Sequence, residues 1–330
     1  MNDIRPRLFC FRKSFISQPS VVAGGMTTER SATEMNVSRR DFLKYCGMTA
    51  AALGLSANDL LGLKEALANP NGPTVLWLQG AGCTGCSISF LNRISTAAPK
   101  TAGDLLINSV NLAYHPNLSS LAGDAVVDVI SQAYTKGNYV LIVEGAVPTA
   151  FGGAACFAWS YKGVDKTFRD AVTMLASRAA KVVSVGTCAA FGGIPASGGN
   201  PTQVVSVATA TGKATINIPG CPPHPDWIVW AVSQILLNKA VTLDTFGRPT
   251  ALYSKKIHDV CPRKGTGEVK QFGLATGCLK ELGCKGPSTK SNCPTLKWHN
   301  GVNWCIGASA PCMGCTEPTF PIANPFYKNV

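Results

Sequence analysis

The chain has 330 residues, 46% of them hydrophobic, and its 30 Lys and Arg against 18 Asp and Glu give a formal net charge of +12. That balance excludes an intrinsically disordered chain, and the lack of any run of eighteen uninterrupted apolar residues argues against a spanning helix in the mature protein. Fourteen Cys beside only four His, in a chain too long to need disulfides for stability, point to bound metal.

The first segment is an address. Ser38-Arg39-Arg40-Asp41-Phe42-Leu43-Lys44 precedes a weakly apolar stretch from Tyr45 to Leu63 and then Ala66-Leu67-Ala68, a small-x-small cleavage signal. This pattern predicts a twin-arginine signal peptide over 1–68, read by the twin-arginine export machinery and removed in the periplasm. Asn58 and Asp59 interrupt the apolar run and argue against a retained anchor. That route carries folded proteins, so the thiols can be loaded with metal before export. Without residues 1–68 the net charge is +9, concentrated in 246–330. The Lys residues there are scattered, only Lys255 and Lys256 being adjacent, and no nucleic-acid motif accompanies them, so a solvated surface is expected and a nucleic-acid partner is not.

From Gly72 to about Leu237 short apolar runs alternate with helical spacing. Val75 to Gln79, Leu105 to Ala113, Tyr139 to Val143, Val182 to Val185 and Ala214 to Ile218 predict strands buried on both faces. Asp124 to Tyr134, Thr167 to Ala180 and Asp226 to Leu237 predict helices. The alternation implies an α/β domain over 69–245 built on a doubly wound parallel sheet. After about Thr245, Gly, Pro, Lys and seven Cys dominate. The segment 246–330 therefore reads as a small irregular domain that metal ligation holds together.

Cys83 and Cys86 follow the first strand, Cys188 the fourth and Cys221 the fifth, which places four thiols at the carboxyl edge of one sheet, where such folds bind ligands. Four soft thiolates suit an iron–sulfur cluster or zinc. Two other readings explain less. Gly80-Ala81-Gly82-Cys83-Thr84-Gly85 matches a dinucleotide fingerprint, but the second strand ends without the ribose-binding acid; Cys83-Thr84-Gly85-Cys86 as a redox pair leaves Cys188 and Cys221 unused. The tail adds His258, Cys261, Cys278 and Cys284 as one set and Cys293, Cys305, Cys312 and Cys315 as another. Zinc ribbons are the competing structural explanation of both. Three sets use eleven Cys and one His, leaving Cys10, Cys46 and a lone Cys156, and three soft sites in one chain suit an electron wire. Glu144, at a strand end on the same edge, either caps backbone N–H groups or takes part in proton traffic. His224, beside Cys221, either bonds a cluster sulfide or packs.

The segments Trp77 to Ser87, Val143 to Pro148, Gly186 to Gly193 and Ile218 to Trp227, with Gly283 to Pro287 and Pro311 to Cys315 in the tail, resemble the small subunit of nickel–iron hydrogenases. The resemblance implies a flavodoxin-like domain holding a proximal cluster beside the nickel site of a large subunit, and a tail domain holding medial and distal clusters. Carried over, Cys83, Cys86, Cys188 and Cys221 are proximal ligands, His258, Cys261, Cys278 and Cys284 distal ones, and Cys293, Cys312 and Cys315 medial ones. Cys305 stands where many members have proline. A thiolate there completes a third 4Fe-4S cluster, whereas a medial cluster without it is 3Fe-4S, and Cys305 with its surroundings is similar to the nickel–iron–selenium subgroup. Gly85 and Gly193 stand where one oxygen-tolerant branch has two extra cysteines, which excludes a six-cysteine proximal cluster. The resemblance further implies an electron-transfer subunit of a periplasmic hydrogenase, uptake or evolving, with hydrogen cleavage on the large subunit. An external carrier such as a multihaem cytochrome docks near the distal cluster, and any membrane association comes through a partner. The alternative is a stand-alone exported iron–sulfur carrier or zinc-stapled binding protein.

Overall fold

Val75 to Leu78 and Val140 to Glu144 are runs in which every residue is buried, as strands covered on both faces require. The computed structural model describes residues 72–96 and 99–321; the signal segment with its arginines, Cys10 and Cys46 lie outside the described residues. In chain order the elements are β1 (Thr74–Gln79), α1 (Gly85–Leu91), α2 (Ala102–Asn108), β2 (Asn111–Tyr114), α3 (Asp124–Lys136), β3 (Val140–Glu144), β4 (Val147–Pro148), β5 (Phe157–Tyr161), β6 (Val164–Thr167), α4 (Phe168–Arg178), β7 (Lys181–Val185), α5 (Thr187–Phe191), β8 (Val204–Val205), α6 (Val207–Thr211), β9 (Ile216–Ile218) and α7 (Pro225–Leu236). The tail contributes only α8 (Thr250–Tyr253), α9 (Cys293–Leu296) and three short 3₁₀ turns.

Five strands form one parallel sheet in the order β2-β1-β3-β7-β9. Counting only its own strands this is the order 2-1-3-4-5 of flavodoxin-like folds, as the sequence predicts. Strand alternation sends Leu76, Leu78, Leu141 and Val143 into a core with Ile130 of α3 and Phe168, Val172 and Leu175 of α4. The opposite face sends Val75, Trp77, Val140 and Ile142 against Phe90 of α1 and the side chains of α7. Two small antiparallel pairs, β5 with β6 and β4 with β8, are additions that the apolar pattern does not announce.

The predicted strand Leu105 to Ala113 is two elements. Its first half completes α2, because Thr101 caps that helix: its hydroxyl accepts from Asp104 N–H while the Asp104 carboxylate accepts from Thr101 N–H. This reciprocal box fixes a helix start, and only Asn111 to Tyr114 pairs with β1.

Helix α7 explains how the tail is held. Every residue from Trp227 to Gln234 is buried, and a helix apolar all round needs cover on all sides. The sheet covers one side. Leu252, Tyr253, Ile257, Leu279, Leu282, Trp304 and Ile306 of the tail join the same apolar cluster. Each such buried side chain contributes about 1.5–3 kcal/mol, so the tail has apolar anchorage in addition to any metal. Among the described residues no helix is long and apolar enough to cross a membrane.

Candidate metal centres

The first set assembles at the carboxyl ends of β1, β7 and β9. Cys83 precedes α1, Cys86 lies in its first turn, Cys188 lies in the first turn of α5, and Cys221 follows β9. Two left-handed glycines make room for the sulfurs. A Cβ at Gly186 (φ 90°) would stand 2.5 Å from Cys86 Sγ, and one at Gly193 (φ 54°) 2.9 Å from Cys188 Sγ, so both positions need φ values and space that only glycine provides. Burial pushes the Cys86 thiol well above its ordinary range, and Glu144, Cys188, Cys221 and Cys83 push it the same way. Burial raises Cys188 to about 11, again with Cys221 and Cys83 adding to the shift, so the four thiols lie within electrostatic reach of one another.

Glu144, the last residue of β3, is 2% exposed. Its Oε1 accepts from the N–H groups of Cys86 (3.0 Å) and Ser87 (3.2 Å), and its Oε2 from Trp77 Nε1 (3.2 Å), Gln79 Nε2 (3.0 Å) and Ser87 Oγ (2.5 Å). Thr84, at the N-cap of α1, makes no capping bond of its own; the carboxylate of a distant strand caps the helix instead. His115 joins this network: its Nδ1 accepts from Asn117 N–H (3.1 Å), so its Nε2 carries the proton toward Ser87 Oγ (3.2 Å). His224 does not reach a thiol. Its Nδ1 accepts from Asp226 N–H to cap α7, its Nε2 donates to Lys297 O (2.5 Å), and its ring packs on Trp298.

The set Cys293, Cys305, Cys312 and Cys315 is also brought together. Burial pushes the Cys315 thiol well above its range, with Cys293, Cys312 and Cys305 pushing the same way. Burial likewise raises Cys293 to about 11 and Cys312 to about 12. Cys305 lies within electrostatic reach of Cys293 and Cys315 and also of Cys284 in the third set. Ser291 Oγ lies 3.0 Å from Cys293 Sγ and Thr289 Oγ1 3.7 Å from Cys312 Sγ. In the third set, burial raises Cys284, and Cys261 and Cys278 add to it. The 3₁₀ turn with His258 is tied to the Cys284 loop through His258 N–H to Gly286 O (3.2 Å).

Adjacent sets are joined by hydrogen bonds. The Thr187 hydroxyl, next to Cys188, accepts from Gly220 N–H and donates to the Cys315 carbonyl, and the N–H of Cys312 donates to Cys284 Sγ at 3.3 Å. The order in space is therefore sheet-edge set, then Cys293 set, then Cys284 set. Hydroxyl partners such as Thr187, Ser291 and Thr289 escape a search for metal-ligand spacing, although Thr187 and Ser291 stand within two residues of a candidate Cys. Cys156 is half-buried against the core under α4, and burial raises its thiol.

The donor chemistry limits what these sets can do. Cys188 and Cys221 act electrostatically on Cys86, and a Cys83–Cys86 redox pair leaves both of them unused. Neutral buried thiols are what a soft metal finds before displacing their protons. All twelve described cysteines are free. Among the described residues no three His, Cys, Asp or Glu side chains converge tightly enough for one metal ion.

Comparison with known proteins agrees with this geometry. Residues 83–235 match the family model described as NADH ubiquinone oxidoreductase, 20 Kd subunit, and residues 253–327 match the model for the C-terminal part of NiFe/NiFeSe hydrogenase small subunits. The chain is 37% identical over 319 residues to the periplasmic [NiFe] hydrogenase small subunit of Solidesulfovibrio fructosivorans, covering 94% of this chain and 98% of that one. It is 38% identical over 317 residues to the periplasmic [NiFeSe] hydrogenase small subunit of Desulfomicrobium baculatum, covering 89% and 99%. The solved [NiFeSe] hydrogenase of Desulfovibrio vulgaris Hildenborough superposes with a TM-score of 0.73 at 36% identity, covering 80% of this chain and 99% of that one. The chain belongs to the family of NiFe and NiFeSe hydrogenase small subunits.

Proposed function

We infer that this protein holds three four-iron clusters and relays electrons between the large subunit's hydrogen-converting site and an external redox carrier. The observation that carries the reading is the serial order of the three ligand sets, each joined to the next by hydrogen bonds, through the Thr187 hydroxyl at one junction and from Cys312 N–H to Cys284 Sγ at the other. The proposed ligands are Cys83, Cys86, Cys188 and Cys221 for the first set, Cys293, Cys305, Cys312 and Cys315 for the second, and His258, Cys261, Cys278 and Cys284 for the third. When bound, such clusters accept and release single electrons at potentials set by ligand type, hydrogen bonds to sulfur and exposure.

The chain's own residues supply the rest. Thiols shifted upward by burial give up their protons to metal, and the buried surroundings of Cys86, Cys293 and Cys312 keep water from their sulfurs. His258 makes the outermost set one charge less negative than a four-thiolate set. The lack of a tight three-residue clasp for one ion among the described residues supports clusters over zinc, because zinc gathers all its ligands at about 2.3 Å, whereas each cysteine of a cubane binds its own iron. Cys305 within electrostatic reach of Cys293 and Cys315 supports a four-iron middle cluster and with it the selenium-containing subgroup. We further propose twin-arginine export of the folded chain to the periplasm, the location in the names of the two relatives above, and a division of the mature chain near Thr245.

The test is directional. Replacing Cys278 by Ala in the anaerobically purified heterodimer should leave hydrogen-driven bleaching of the remaining visible iron–sulfur absorption intact. Reduction of a multihaem cytochrome added as acceptor should lose most of its rate. Cytochrome reduction at the parent rate with the third set disrupted would contradict the relay.

A further inference from the structure

We propose that Thr187 is a positioning residue for electron transfer, a hydroxyl that fixes the sheet-edge set against the middle set. The proposal rests on the relay reading and deepens it. Thr187 is 1% exposed and sits between Gly186 and Cys188 at the start of α5. Its backbone N–H donates to Gly220 O at 3.0 Å, and its hydroxyl accepts from Gly220 N–H at 2.9 Å. The same hydroxyl donates to the Cys315 carbonyl. Thr187 thus grips both polar groups of the residue before Cys221, adjoins Cys188, and holds the backbone of Cys315. Three ligand loops, two from the sheet edge and one from the tail, meet on one oxygen.

A hydroxyl is needed here because it must accept from one loop and donate to the other at once. Valine has the same shape and can do neither, leaving Gly220 N–H and the Cys315 carbonyl unpaired in a buried place. Serine keeps both bonds. Electron hopping falls steeply with separation, so a residue that fixes this junction acts on the rate without touching hydrogen or the carrier.

The experiment compares Thr187→Val and Thr187→Ser in the anaerobic holoenzyme with its large subunit, by iron content and by EPR of the fully reduced protein. In T187V the magnetic interaction between the first and second clusters should weaken at full iron content, and T187S should restore it. If T187V loads poorly, selective loss of iron from the middle set in T187V but not in T187S supports the same role. An unchanged interaction in T187V at full iron, or equal loss in both variants, would overturn the proposal. An unsubstituted protein lacking three clusters would instead overturn the relay reading, so the two failures are distinct.

Discussion

The sheet-edge site depends on residues that solve more than one problem. Glu144 ends a strand, caps a helix and accepts from three side chains, so its full set of donors accounts for its burial. His115 shares that network, and burial, opposed in part by the Glu144 carboxylate, lowers its imidazole to about 4. The unfolded imidazole titrates near 6.5, so the unfolded chain takes up the proton first on acidification. Stability from this group is full above about pH 6.5 and is lost as pH falls toward 4. Urea titrations at pH 7 and pH 5 should differ by about 2 kcal/mol more in the parent than in His115→Asn; equal differences would contradict the assignment. The twelve candidate ligands were legible in the sequence because cysteine and strand-end spacing is local. The partners of His115 and Thr187 were not, since they come from loops far apart in the chain.

At the scale of elements, β1 and β3 were readable as unbroken apolar runs, β7 and β9 as short runs interrupted by Ser184 and Asn217, and α3, α4 and α7 as helical periodicity. The stretch 105–113 misled because Leu105, Leu106 and Leu112 suit either period, and the deciding signal was polar: the reciprocal bonds of Thr101 and Asp104. Replacing Thr101 by Ala should lower unfolding stability by about 1 kcal/mol, measured by denaturant titration, and no loss would remove the box as the reason for α2. Helix α1 shows the opposite case. Its cap comes from β3, and no local reading of Thr84 could have named Glu144.

Among the described residues, a sheet domain and a tail share one core. Besides the apolar cover of α7, a buried cation joins them: Arg248, 1% exposed, bonds Asp244 at 2.8 Å on the sheet side and Glu317 at 3.0 Å in the tail, and donates to Thr316 O, next to Cys315. Removing one partner of a buried ion pair strands the others. Arg248→Met should therefore cost about 3 kcal/mol of stability and loosen the tail in hydrogen exchange before the sheet opens; uniform protection across both would contradict the clasp. The change of texture after about Thr245 was legible from composition. The core shared by sheet and tail was not, because the tail's apolar residues are too sparse to show periodicity and gain meaning only beside α7.

The central claim is three clusters in one chain, and metal content tests it most directly. Iron, sulfide and zinc are to be counted in the anaerobically purified complex, with active-site iron subtracted. The account predicts about twelve irons with matching sulfide per copy of this chain; about eleven would remove Cys305 from the ligands, and zinc without iron would contradict the relay altogether.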